Sequence, residues 1–225
     1  MNASRGAVAA AFHFSHKEVA MLLSTFSRLL GMLFVLLMLG GCQSALMVAP
    51  SADAEPQATA DKALVVFMRP SSLGGAVQSS VYDTRAEGND VFAGVVSSKS
   101  KVAYLAEPGE HLFMVVSENA DFLAANLEAG KRYYVLVAPR MGVWRARFSL
   151  LPIRNDASAK DGLQSKQFRD WNESTKWMVI GPKARSWYQD NIESIRARKL
   201  DYLPKWQNKS VADKAERTLR SVDGI

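Results

Sequence analysis

The chain has almost no cysteine and little histidine: Cys42 is its single thiol, and three histidines are spread over 225 residues. One thiol excludes an intrachain disulfide and a cysteine metal cluster, and it leaves no spare thiol nucleophile. The most apolar run, Leu29 to Cys42, is short for a permanent transmembrane helix, which needs ~20 residues. A formal charge of +6 is too small an excess to carry a nucleic-acid reading. Gly74-Gly75 matches neither a P-loop nor a dinucleotide fingerprint, so the pair reads as a turn. With 48% apolar residues the chain is nevertheless neither disordered nor wholly membranous.

What is present begins at the N-terminal end. Arg28 precedes the apolar run, and the run ends in Leu39-Gly40-Gly41-Cys42. A basic start, a short apolar core and small residues before a cut site make a secretory signal. The four terminal residues resemble the lipobox of bacterial lipoproteins, in which a signal peptidase recognises Leu39, Gly40 and Gly41 and cuts before a lipidated cysteine. That resemblance implies a covalent diacylglycerol and an N-acyl chain on Cys42; the scarcity of cysteine and histidine leads to the expectation of no other cofactor and no metal. A plain cleaved signal and an uncleaved anchor are the alternatives. Residues 1–20 form a long mixed lead-in containing His13, His16, Lys17 and Glu18, and Met21 offers a simpler start for the same signal. Removing the first 41 of 225 residues leaves 184, enough for one domain with a core, and lowers the charge from +6 to +4. Gln43 after the cysteine resembles the outer-membrane default rather than the aspartate that favours inner-membrane retention.

Residues 42–62, rich in Ala, Pro, Ser and Asp, read as a lipidated flexible tether. From Ala63 the pattern turns to short β-forming runs separated by turn residues: Ala63–Met68, Ala76–Tyr82, Val91–Val96, Lys101–Leu105, His111–Val116, Arg132–Ala138 and Trp144–Ile153. Glu107-Pro108-Gly109-Glu110 places Pro and Gly at the two central positions of a type II turn. Seven or eight such strands over 63–153 predict a mainly β domain, an antiparallel β-sandwich of prealbumin or immunoglobulin-like form. Leu64–Met68, Leu112–Val116 and Tyr133–Val137 are apolar at both parities, so both of their faces should be covered. The C-terminal extension, 154–225, is the expected cover. It offers a helical turn near Gln167–Trp171, a helix over Lys183–Leu200 opened by Pro182 and closed before Pro204, and a last helix starting at Ser210 with Val211, Ala215 and Leu219 as its stripe.

Three blocks carry a wider likeness: Leu64-Val-Val-Phe-Met-Arg-Pro-Ser-Ser72; Tyr104 with Pro108-Gly109-Glu110-His111-Leu112-Phe113; and Leu127-Glu-Ala-Gly-Lys131 with Tyr133-Tyr134-Val135. On these the body resembles a family of uncharacterised bacterial lipoproteins with a prealbumin-like β-sandwich. The resemblance covers about half of the chain beyond Cys42 and implies a fold, with no activity or catalytic residue to transfer.

Candidate chemistry is sparse. His111 is the one histidine beyond Cys42, in a strand just after the Pro-Gly turn and on the face of Phe113 and Val115. It reads either as a strand histidine hydrogen-bonded near the turn, the commoner outcome, or as a base working with Glu107 or Glu110. Trp144, Trp171, Trp177, Trp187 and Trp206 are either core or sugar-stacking platforms, and their aliphatic neighbours favour core. Lys183, Arg185, Arg196, Arg198 and Lys199 cluster around the first long helix. They form either a solvated face or a contact surface for anionic lipid or peptidoglycan carboxylates. The expected protein is a non-enzymatic, lipid-anchored module at the periplasmic face of the outer membrane, binding an envelope protein or peptidoglycan and no nucleic acid. The alternative is a small enzyme acting on envelope glycan or lipid through His111.

Overall fold

A computed structural model describes residues 46–51, 55–75, 77–84, 90–140 and 147–225. The expectations placed on Leu39, Gly40, Gly41, Cys42 and Trp144 lie outside these residues. The strands, in chain order, are β1 (Met47–Val48), β2 (Ala63–Arg69), β3 (Ser79–Asp83), β4 (Val91–Val96), β5 (Ser100–Ala106), β6 (Gly109–Val116), β7 (Ala120–Leu127), β8 (Arg132–Arg140) and β9 (Arg147–Pro152). Then come helix α1 (Lys166–Ser174), β10 (Lys176–Ile180), α2 (Ala184–Gln207), α3 (Val211–Glu216) and β11 (Thr218–Leu219), with a final 3-10 turn at Ser221–Asp223.

The strands make two sheets, ordered β1-β10-β5-β2-β8-β9 and β11-β7-β6-β3-β4. The domain is mainly β, as expected, but its sheets are mixed rather than antiparallel. β2 pairs parallel with β8, β10 with β5, and β11 with β7. Both strands of the β2–β8 pair are interior to their sheet, so their buried residues read as a continuous apolar run. Between the sheets lies one core, in which Val65, Phe67, Tyr133 and Val135 of the first sheet meet Val81, Phe113, Val115 and Leu123 of the second. Phe67 and Phe113 meet edge to face at 5.3 Å, the arrangement their ring quadrupoles favour.

The other parity of the same strands is covered as well. Leu64, Val66, Met68 and Tyr134 form a second cluster on the outer face of the first sheet, closed by Leu163 and by Phe168 of α1. Ser165 caps α1 by accepting from the Phe168 N–H at 3.0 Å, which sets Phe168 edge to face on Tyr134 at 4.8 Å. On the second sheet, Tyr82, Met114, Val116 and Phe122 are covered by Ile195 and Trp206 of α2, with Tyr188, Tyr202 and Leu203 alongside. The C-terminal segments thus form a layer on each side of the sandwich.

Two helix expectations are corrected. α2 runs through Pro204 and ends at Gln207 instead of stopping before the proline. Proline forfeits one backbone hydrogen bond, but Leu203 and Trp206 on either side of it pack on the second sheet and hold that turn in place. The stripe expected on α3 does not form either, since Val211 is 87% exposed and Leu219 lies buried in β11.

Part of the expected flexible tether is fastened. Met47 and Val48 pair with Ile180 and Val179, and Met47 enters the inter-sheet core, its Sδ accepting from the Val95 N–H at 3.4 Å. Gly94 makes the room: with φ of +142°, a Cβ there would lie 2.9 Å from Val102 and 3.1 Å from Met47. Further on, Arg132 donates to the Glu55 carboxylate, the Pro56 carbonyl and the Gln57 amide oxygen, each at 2.8 Å.

Candidate functional site

The five cations expected to form one surface divide by geometry. Lys199 turns inward and pairs with Asp90 at 2.5 Å, with 19% of its side chain exposed against 7% for Asp90. The Tyr188 hydroxyl donates to the Asp90 carbonyl at 2.9 Å, and its ring stacks on Phe92. Lys199 is therefore a strut between α2 and the residue before β4. Arg196 pairs with Glu193 one turn away, and Arg198 bonds the Ser194 carbonyl and hydroxyl. Lys183 and Arg185, at the start of α2, are both exposed.

That start of α2 meets the N-terminal segment. Gly181 N–H donates to the Leu46 carbonyl at 2.8 Å, directly after the β1–β10 pair. Around this junction Val48, Val179 and Ile180 are 36%, 41% and 42% exposed. Lys183 and Arg185 stand exposed at the start of α2, and Lys176 at the far end of β10. The structure therefore places an apolar strip and two cations where β10 meets Leu46, with Lys176 at the other end of the strand. Sequence reasoning found these two cations and missed the strip, because it placed no element over Lys176–Ile180. Beside the strip lies an apolar cleft of about 220 Å³, lined by Pro50, Pro56, Val102, Trp177, Met178 and Ile180. Lys101 closes in nearby, its ammonium 4.7 Å from the Trp177 ring and bonded to the Asn172 carbonyl and side-chain oxygen. Burial lowers its basicity below that of an ordinary lysine.

The histidine centre joins His111 to Asp83 rather than to the carboxylate of Glu107 or Glu110. His111 stacks on Phe113 with its side chain 4% exposed. Its Nε2 donates to the Glu107 carbonyl at 2.8 Å, and its Nδ1 lies 2.9 Å from Asp83 Oδ2, which also accepts from the Tyr104 hydroxyl at 2.9 Å. Asp83 is wholly buried, and among the described residues its Oδ1 has no hydrogen-bond partner. The expected carboxylates are elsewhere. Glu107 pairs with Lys62 at 2.5 Å, and Glu110 is exposed. A general base needs a ring lone pair within reach of a substrate proton. Here both ring nitrogens are engaged inside the protein, so the arrangement ties β3, β5 and β6 together at one end of the core.

Four of the five tryptophans fall within the described residues, and each packs on a core cluster. Trp171 and Trp177 lie on the outer face of the first sheet, Trp187 on the inter-sheet core, and Trp206 on the outer face of the second sheet. Trp171 also lines a cleft of about 380 Å³, with Pro70, Lys99, Leu136, Gln167 and Asp170. Among the described residues no group of three or more His, Cys, Asp or Glu is placed to hold a metal ion, and no helix is long and apolar enough to cross a membrane. No protein-family model matches the chain, and no curated protein matches it.

Proposed function

We propose that this chain is a lipid-anchored cell-envelope protein, a non-enzymatic binding or structural module held at the periplasmic face of the outer membrane through lipid on Cys42. The observation that carries the reading is the sequence Leu39-Gly40-Gly41-Cys42 at the end of an apolar run behind Arg28, four residues before the first described residue of the folded body. The body is a prealbumin-like sandwich serving as a rigid platform, with the parallel pairings as this chain's own variation on it. Binding is preferred to catalysis because the His111 ring is committed to Asp83 and Glu107. An envelope protein or peptidoglycan is the partner class, met by the clefts and loops of the platform.

The test is the intact mass and membrane partition of the expressed protein beside its Cys42→Ser variant. The reading expects a wild-type chain that begins at Cys42, carries acyl mass and sediments with outer membrane, while the variant does neither. Masses that differ only by the cysteine-to-serine exchange, together with identical partition, would end it.

A further inference from the structure

We infer that the strip Val48, Val179 and Ile180, with Lys176, Lys183 and Arg185 around it, rests on the bilayer that holds the anchor. The body is thereby mounted in one fixed orientation. This rests on the lipidation of Cys42 proposed above.

The first reason is the length of the leash. Three residues, Gln43 to Ala45, separate Cys42 from Leu46, whose carbonyl is bonded to Gly181, so four residue-to-residue steps join the two. Fully extended, they span at most ~14 Å at ~3.5 Å per residue. A folded body of this size has a radius of gyration of about 16 Å, hence a diameter of roughly 40 Å. A leash shorter than the radius of its load cannot let the load roll over. The surface around Leu46 stays within ~14 Å of the lipid.

The second reason is the chemistry of that surface. Val48 and Val179 stand opposite each other in the β1–β10 pair, and Ile180 follows Val179 on the other face of the same sheet edge, each exposed by 36% to 42%. Exposed lysines and an arginine flank them at both ends of β10. An apolar patch rimmed by cations matches an interface of acyl chains beneath anionic headgroups. Neither feature alone would hold a protein on a membrane. With the anchor present, they need only orient it.

The experiment uses full-length protein expressed and acylated in cells, then reconstituted into phosphatidylethanolamine/phosphatidylglycerol vesicles bearing headgroup nitroxides. Single cysteines are introduced at Val48, Ile180 or Lys183, and as distant references at Leu200 or Val211, then labelled with an environment-sensitive fluorophore. Leu200 and Val211 are 71% and 87% exposed. Leu200 lies ~22 Å along α2 from Arg185 at 1.5 Å per residue. The proposal expects quenching at least threefold stronger at positions 48, 180 and 183 than at the two references. Lys183→Glu with Arg185→Glu should reduce quenching at position 180 at least twofold. Uniform quenching at the five positions, or stronger quenching at 200 and 211, overturns the orientation. The mass of each preparation separates the two readings. Acylated protein with uniform quenching refutes the orientation alone, whereas protein without acyl mass refutes anchor and orientation together. These three positions are read independently, so one variant that fails to fold does not shield the proposal.

Discussion

Replacing Lys199 by methionine tests whether that residue is a surface cation or a strut. Its partner Asp90 has a carboxylate only 7% exposed, and the ion pair itself is 2.5 Å long. Methionine keeps most of the aliphatic stem but removes the ammonium, leaving Asp90 largely buried and unpaired. Breaking a fully buried pair costs ~3–5 kcal/mol, whereas an exposed pair is worth ~0.2–1 kcal/mol. Lys199 is 19% exposed, so the expected loss lies between these limits, about 2–3 kcal/mol. At ~2–4 °C per kcal/mol for a domain of this size, Tm should fall by roughly 4–12 °C. The comparison is Arg196→Met, which removes a pair whose partners are 48% and 82% exposed and should cost no more than ~0.5 kcal/mol.

Urea unfolding of the processed protein, followed by tryptophan fluorescence, measures both variants. A cycle with Asp90→Asn then isolates the pair. The double variant should be more stable than the sum of the two single losses implies, because asparagine no longer strands a buried charge. If Lys199→Met is as mild as Arg196→Met, or if the cycle shows no coupling, the docking of α2 through this pair is wrong. Lys199 would then return to the surface set.

Two further perturbations probe the closure of the fold. Burial by itself would push the Asp223 carboxyl up, but hydrogen bonds from Arg220 and Arg154 outweigh it and hold the group below its ordinary range. A carboxylate depressed in the folded state contributes stability that is complete above its unfolded value, ~3.9, and is lost as pH falls through the folded one. The stability gap between wild type and Asp223→Asn should therefore be widest near neutral pH and close as the pH drops below about 4, as read from urea midpoints at pH 7, 5 and 3. A gap independent of pH would count against the ion pairs as its source. Gly94→Ala and Gly109→Ala both force a side chain onto positive φ, +142° and +115°, at ~1–3 kcal/mol of strain each. Only at Gly94 would the new Cβ also crowd Val102 and Met47. The Gly94 variant should be clearly the less stable of the two by thermal melt, and equal losses would show that the crowding is relieved at no cost.

The strands that could be read from sequence were those whose residues state their own environment. Ala63–Arg69 is β-branched or apolar at nearly every position, and its two parities fill two different clusters. The need for cover on both sides was written in that run: the second sheet covers one parity and α1 the other. β7 was missed because Ala-Asp-Phe-Leu-Ala-Ala-Asn-Leu has three alanines, an aspartate and an asparagine, all weak strand formers. It is extended because eight of its residues pair with β6 across the tight Ser117–Asn119 turn. The parallel pairings were equally hidden. Nothing within Leu64–Met68 specifies that its neighbour is Arg132–Leu136 rather than the next strand in sequence. Parity reveals burial but not the partner, and partner choice is settled only when all strands compete for the same core.

The same distinction governs the candidate sites. Lys183, Arg185, Arg196, Arg198 and Lys199 look equivalent along one helix, and their sign and spacing were legible. Their division was not, because it depends on residues far away in sequence. Lys199 is claimed by an aspartate 109 residues earlier. Lys183 and Arg185 remain exposed next to the junction of Gly181 with Leu46, 135 residues upstream of it. His111 follows the same rule. Its carboxylate is Asp83, 28 residues back, while Glu107 offers it only a carbonyl. Charge type is a local property of the sequence, whereas the competition for each charge is long-range. A cation becomes available to a ligand only after the fold has declined to use it, so the contact surface of this protein should be sought among the charges left over at the junction of β10 and α2.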